Sequence, residues 1–196
     1  MRRRTFDALL TTGGLIVAAI LLVAGGLLTW AHNFVQDQVT TQLSAQQIFF
    51  PQSGSEALND PAVKPYLSQY AGQQLTDGAQ ARAYADHFIA VHLNEMTGGQ
   101  TYAQLSGKSL ADPTDTKLAG QVQTVFRGET LRGLLLNAYA FWQMGQIALV
   151  GAIASFVGAA LLLALSLLGF LHLRRVPAGQ EMHLGHPTHV RGPVPA

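Results

Sequence analysis

His32, His87 and His92, with Asp86 and Glu95, are the side chains of the central segment best suited to metal or proton chemistry. A non-haem iron site of the ring-opening kind needs two imidazoles and a carboxylate converging on one ion, with positions left open for substrate and oxygen. His87 and His92 are five residues apart. On one helix that spacing turns them roughly 140° away from each other. They cannot grip one ion as an i, i+4 pair does. His92 and Glu95 can share a face, and His32 can approach from an earlier helix, but the spacing does not require it. The simpler reading is the polar side of an amphipathic helix. No Ser–His–acid set, phosphate-cradling glycine loop or paired-carboxylate signature stands elsewhere. The expectation is therefore no catalytic residue, no cofactor and no metal site.

Two further clusters qualify as candidates. His183, His186 and His189 recur every third residue near Glu181, and histidine-rich tracts can take Zn, Ni or Cu. In a Gly/Pro-rich segment such affinity is modest, so 174–196 is read as a disordered tail, with metal binding there left open. Arg127, Glu129 and Arg132 form a charge cluster before the last apolar stretch. Arg127 can pair with an acid and Arg132 can reach lipid headgroups, although a solvated cluster is the simpler account. The chain has no cysteine. Any central domain must hold by packing rather than by disulfides.

The elements that position these groups are set by two apolar stretches, Ala8–Ala31 and Gly133–Leu171, that carry no charged residue or histidine. A hydrocarbon core of ~30 Å takes about 20 helical residues, so each can span once. In lipid the backbone must satisfy its own hydrogen bonds, so both are expected to be helices. The segment between them carries nine acids against six bases, whereas Arg2, Arg3, Arg4, Arg174, Arg175 and Arg191 crowd the ends. Basic flanks stay cytoplasmic, and Trp30 and Trp142 suit the headgroup level as interface anchors. The expected localisation is the plasma (inner) membrane, multi-pass, with both termini cytoplasmic. Arg3-Arg4-Thr5-Phe6 echoes a twin-arginine signal. Even so, the length of the stretch and the poor cleavage site at Thr29-Trp30-Ala31 favour an uncleaved anchor. An acidic central segment offers no basic face for nucleic acid.

Helical spacing continues past the first stretch through Phe34, Val35, Val39, Leu43, Ile48 and Phe50 to Pro51. A short unit over 61–75 shows Val63, Tyr66, Leu67 and Tyr70 on one face. Thr76 or Asp77 caps a third helix through about Met96, with Ala83, Tyr84, Phe88, Val91 and Met96 as its core side and Gly98-Gly99 as its stop. A loop with Gly107, Asp112 and Pro113 follows. Thr114 or Asp115 opens the last helix, with Leu118, Val122, Val125, Phe126 and Leu131 as its packing stripe. The predicted fold is all-α, two transmembrane helices continuing into an extracytoplasmic helical bundle. Its divisions are 1–7 cytoplasmic, 8–31 transmembrane, 32–146 exposed, 147–173 transmembrane and 174–196 cytoplasmic tail. Asn137, Gln143 and Gln146 then fall outside the membrane.

Gly98–Ser106 and Gln123–Trp142, with Thr12-Gly13-Gly14-Leu15 and Asp86–His92, resemble an uncharacterised family of actinobacterial two-span membrane proteins. The resemblance covers roughly Arg2 to Arg175. It implies a membrane protein and brings no functional residue with it. Some members of that family carry the label aromatic ring-opening dioxygenase, which the histidine spacing above does not satisfy.

The spans carry Thr11, Thr12, Thr29 and Ser166 but no acid, base or histidine, which argues against a transporter or channel acting alone. Gly14 and Ala18 in the first, with Gly151, Ser155 and Ala159 in the second, make small-residue rows that let helices approach closely. They are read as packing the two spans together, with a second copy or another membrane protein as the alternative. The expected partners are the lipid bilayer and a membrane or envelope protein, or a second copy. A non-catalytic accessory or scaffold role fits best. The alternative is an extracytoplasmic ligand sensor, whose flanks 1–7 and 174–196 would oblige it to signal through a separate partner. A metal-dependent enzyme ranks last.

Overall fold

The computed structural model describes residues 3–175, so the His183/His186/His189 tail lies outside the described residues. The described chain is helical, with a single antiparallel bridge between Phe49 and Gln74. Helix α1 spans Arg3–Ala45 and α7 spans Thr116–Arg175. Both are long and apolar enough to cross a membrane. The chain divides into two compact units, one made by residues up to Leu27 with those from Gly151, the other by Leu28–Val150.

In the first unit, burial recurs every seventh residue: Thr11, Ala18 and Gly25 on α1, and Ala152, Ala159, Ser166 and Leu173 on α7. A seven-residue repeat on a 3.6-residue helix gives a left-handed crossing. The helices run antiparallel and close. A Cβ on Gly14 would lie 2.7 Å from Ser166 Oγ, one on Gly25 2.9 Å from the Phe156 ring, and one on Gly158 3.2 Å from Leu21. One on Gly169 would lie 2.5 Å from Thr11 Oγ1. The Ser166 hydroxyl donates to the Thr11 carbonyl at 3.3 Å, so this polar side chain is satisfied inside the contact. Away from the seam the surface is hydrocarbon: Ile20, Val23, Leu161 and Leu168 are each more than half exposed.

In the second unit α1 ends at Ala45, short of the helix predicted to run to Pro51. The Gln46 and Gln47 amides bond back to Leu43 and Ser44 carbonyls, and Gln47 takes a left-handed φ of 52°. Ile48–Phe50 then run extended against 73–75, with Leu75 N donating to Ile48 O at 2.8 Å and Phe50 N to Gln73 O at 2.9 Å. Alternation along this strip turns Phe49 outward and buries Phe50.

The predicted 61–75 helix is broken into shorter turns. Helices α2 (Glu56–Asn59) and α3 (Lys64–Leu67) are followed by a 3₁₀ turn at Ser68–Tyr70. Gly72, at φ 70°, then releases the chain into the strip. Val63 and Leu67 are nonetheless fully buried and Tyr70 packs on the core, as the predicted face requires, whereas Tyr66 is exposed.

Helix α4 (Gly78–Tyr84), a π turn at Ala85–Ile89 and α5 (Ala90–Thr97) form one continuous rod. Asp77 caps it, its carboxylate accepting from Gln80 N at 2.9 Å while the Gln80 side-chain Oε1 accepts from Asp77 N at 3.2 Å. Gly98, left-handed at φ 60°, ends it. Its buried side is Ala81, Ala85, Ile89, Leu93 and Thr97, one position off much of the predicted stripe, and Met96 is exposed. Four-residue steps overshoot a turn of 3.6 residues, and the wider π turn takes up part of that drift.

Helix α6 (Tyr102–Ala111) stands where a loop was expected. Thr101 and Gln104 form a reciprocal capping box that outweighs Gly107 in the interior. The Thr114 hydroxyl and amide donate to the Asp112 carboxylate in the next turn and hold its pKa below the usual range. Asp115 opens α7, accepting from Leu118 N at 2.8 Å. Val125 and Leu135 point inward, whereas Phe126 lies on the surface beside Tyr102.

The core of this unit joins Val39, Leu43, Phe50, Leu67, Leu75, Ile89 and Leu135. Trp142 covers one end of it, against the first turn of α4. A Cβ on Gly78 would lie 2.3 Å from Trp142 Cβ. Gly78→Ala is expected to cost about 1–3 kcal/mol by overpacking. Thermal melts should show the loss, and it should shrink in a Trp142→Gly background, which removes the Cβ as well as the ring. Burial raises the Tyr84 pKa. Its ring sits edge-on to Phe50 and beside Phe88. The linked stability is whole below the free phenol's pKa of about 10 and is lost as pH climbs through the raised value. Tyrosinate absorbance should show a late-titrating group that Tyr84→Phe removes.

Candidate functional site

The three histidines of the central segment are held on separate partners. The His32 Nδ1 pairs with the Gly145 carbonyl oxygen at 2.9 Å and the His92 Nδ1 with that of Phe88 at 2.7 Å. His87 stacks flat on Tyr66, ring centroids 3.5 Å apart. Among the described residues no three His, Cys, Asp or Glu side chains lie close enough to share an ion.

Charge converges instead on Asp86, in the π turn. Its Oδ1 lies 3.2 Å from Arg132 Nη2 on α7, and its Oδ2 lies 3.7 Å from Arg82 Nε one turn earlier. Arg132 also reaches Glu129 at 3.5 Å, and its Nε is buried with no partner among the described residues. Arg82 donates to the Tyr139 hydroxyl at 3.0 Å, its guanidinium 5.0 Å from the ring centre. Both carboxylate oxygens are thus taken up by guanidinium groups. The cluster ties the 78–97 rod to α7; it presents no free base to a substrate. Arg127 is not part of it and lines a shallow groove with Phe88, His92 and Met96.

A second groove of about 560 Å³ lies between α1 and α7 in the same unit, within the usual ligand-pocket range of ~300–1,000 Å³. Phe34, Val39 and Phe141 supply its hydrocarbon, and Gln38, Gln42 and Asn137 are its polar groups. No charged side chain lines it. Sequence reading placed Phe34 on the core stripe with Val35 and Val39, but it is about half exposed, while Val39 is buried. The signal was present as Gln38 and Gln42, one turn apart beside that stripe, though glutamines on an exposed helix rarely mark a groove.

Of the predicted helix-packing residues, Gly14, Ala18 and Ala159 lie in the close seam of the first unit, and Gly151 and Ser155 lie at its half-buried margin. Ser155 turns its hydroxyl back onto the Gly151 carbonyl at 2.8 Å. Gly25, Ala152 and Ser166 complete the seam and follow from the seven-residue register rather than from small-xxx-small rows, while Gly158 and Gly169 join it outside that register, against Leu21 and Thr11. The two tryptophans differ. Trp30 is 65% exposed and stacks on Phe34, whereas Trp142 is half-buried against Gly78 and Tyr139.

No family model, curated protein or solved structure matches this chain.

Because the Asp86 pairs are partly open to solvent, their loss is expected to be small. Asp86→Asn should lower stability by about 1 kcal/mol, seen as a modest drop in melting temperature. Asp86→Asn in an Arg132→Met background should cost less than in the parent. An equal loss in both would mean that the two side chains are not coupled.

Proposed function

We propose that this chain is a two-pass protein of the plasma membrane whose 28–150 unit stands outside the cytoplasm and serves as a non-catalytic accessory or scaffold module. The observation that carries the reading is the exposed hydrocarbon of the first unit. Ile16, Ile20, Val23 and Leu27 on α1, with Ile153, Leu161, Leu165 and Leu168 on α7, are each 55% or more exposed. In water so extensive an apolar surface would have to be covered; a bilayer covers it. The arginines at both ends favour a cytoplasmic location for the termini.

The separation of His32, His87 and His92 supports a binding role over a catalytic one. The resemblance to actinobacterial two-span proteins is in keeping with this reading and adds no activity to it. The groove between Phe34 and Phe141 favours a second reading, a ligand sensor that passes its signal to a separate partner.

The lack of native cysteine makes sidedness directly measurable. Ala103→Cys should react with an impermeant maleimide in intact cells, and Thr5→Cys only after permeabilisation. The opposite pattern would overturn the orientation. Crosslinking in native membranes should return a stoichiometric protein partner; a monomer alone would sink the scaffold reading.

A further inference from the structure

We infer that the α1/α7 groove holds one hydrocarbon chain of a membrane lipid, with its apolar end at Phe34 and Phe141 and its polar end at Gln42 and Asn137. The inference rests on the membrane reading above and deepens it.

Polarity along the groove gives the orientation. On α1, Phe34 lies nearer the apolar stretch, and Gln38 and Gln42 follow one and two turns on, about 12 Å in all. On α7, which runs the other way, Phe141 lies nearer the apolar stretch and Asn137 one turn beyond it. Over the first turn both walls change from aromatic to amide in the same direction; beyond it α1 continues with Gln42 while α7 returns to hydrocarbon at Leu134. An amphiphile drawn part-way out of a leaflet presents its chain and its polar head in that same order.

Continuity supplies the route. Beyond the aromatic end in sequence, Trp30, which stacks on Phe34, and Met144 and Ile147 are 65%, 53% and 64% exposed. A chain can enter along hydrocarbon without crossing a charged or strongly hydrated barrier. The uncharged walls fit a hydrocarbon chain, and the NH2 groups of three amides can donate to ester or phosphate oxygens. A peptide helix fits less well, since nothing in the walls offers it charge complementarity.

The test uses the full chain in nanodiscs of phosphatidylglycerol doped with the same lipid carrying a diazirine in one acyl chain. After irradiation, adducts should map both to the exposed faces of 8–27 and 151–171 and to the peptides covering 34–42 and 134–141. Phe34→Glu and Phe141→Glu place a carboxylate at exposed positions of the apolar end. Each should cut groove adducts about tenfold, because a charge cannot be buried against hydrocarbon, while leaving span adducts and melting temperature unchanged. Phe34→Leu should retain labelling. Span adducts without groove adducts in the parent chain would overturn this inference and leave the membrane reading standing. Groove adducts that survive both glutamate variants would overturn it too. Absence of adducts from both regions would remove the membrane reading itself.

Discussion

Close backbone approach, made possible by missing or minimal side chains, is the constraint on which both units depend. In the first unit Gly14, Gly25, Gly158 and Gly169 each face a side chain that a Cβ would strike or crowd. Dispersion between tightly apposed helices is what holds them where the surroundings are themselves hydrocarbon. The bundle uses the same device. Gly78 admits Trp142, Gly128 admits Leu93, and Gly145 admits Val35 at 3.1 Å. Large rings and branched chains then meet backbone directly, so a fold without disulfides gains dense packing from few residues.

Polar groups in the bundle follow the same economy. A helix that begins in the middle of the chain leaves its first amides without partners inside the helix. Asp77 with Gln80, Thr101 with Gln104, and Asp115 supply partners within one turn. Asp86 then performs the longer-range task of joining the 78–97 rod to α7 through Arg132. Its place in the π turn fits, because that wider turn sets the direction of the rod's last two turns and of the buried Ile89 and Leu93. The histidines are left to packing and local backbone bonds.

The long helices, the Asp77 cap, the Gly98 stop and the opening of α7 near Asp115 were legible because each rests on local chemistry. The Ile48–Phe50 strip was not, since its apolar spacing also fits a helix and only its pairing with Gln73–Leu75 decides between them. Helix α6 was legible in Thr101 and Gln104 but masked by Gly107. The core side of 78–97 was legible in part: Ala83, Tyr84, Phe88 and Val91 pack against the core, but its centre runs through Ala81, Ala85, Ile89 and Leu93, and Met96 faces out. The groove was hidden for a different reason. It is made by two helices nearly a hundred residues apart in sequence, and its polar groups are amides, which carry no charge signal.

The packed seam also bears on how a signal could travel. A sliding motion of α1 along α7 would carry each glycine away from the side chain it accommodates. A shift of seven residues brings no relief, since Asp7 or Leu21 would stand in place of Gly14 and Ala18 or His32 in place of Gly25. The Ser166–Thr11 hydrogen bond would break at once, leaving a buried hydroxyl unpaired. Such a seam resists small graded shifts, which is what a sensor that pushes one helix past the other would need. A static framework has no such requirement. The spacing that makes the seam tight therefore weighs towards the scaffold reading, and places any ligand response in the 28–150 unit rather than in the seam.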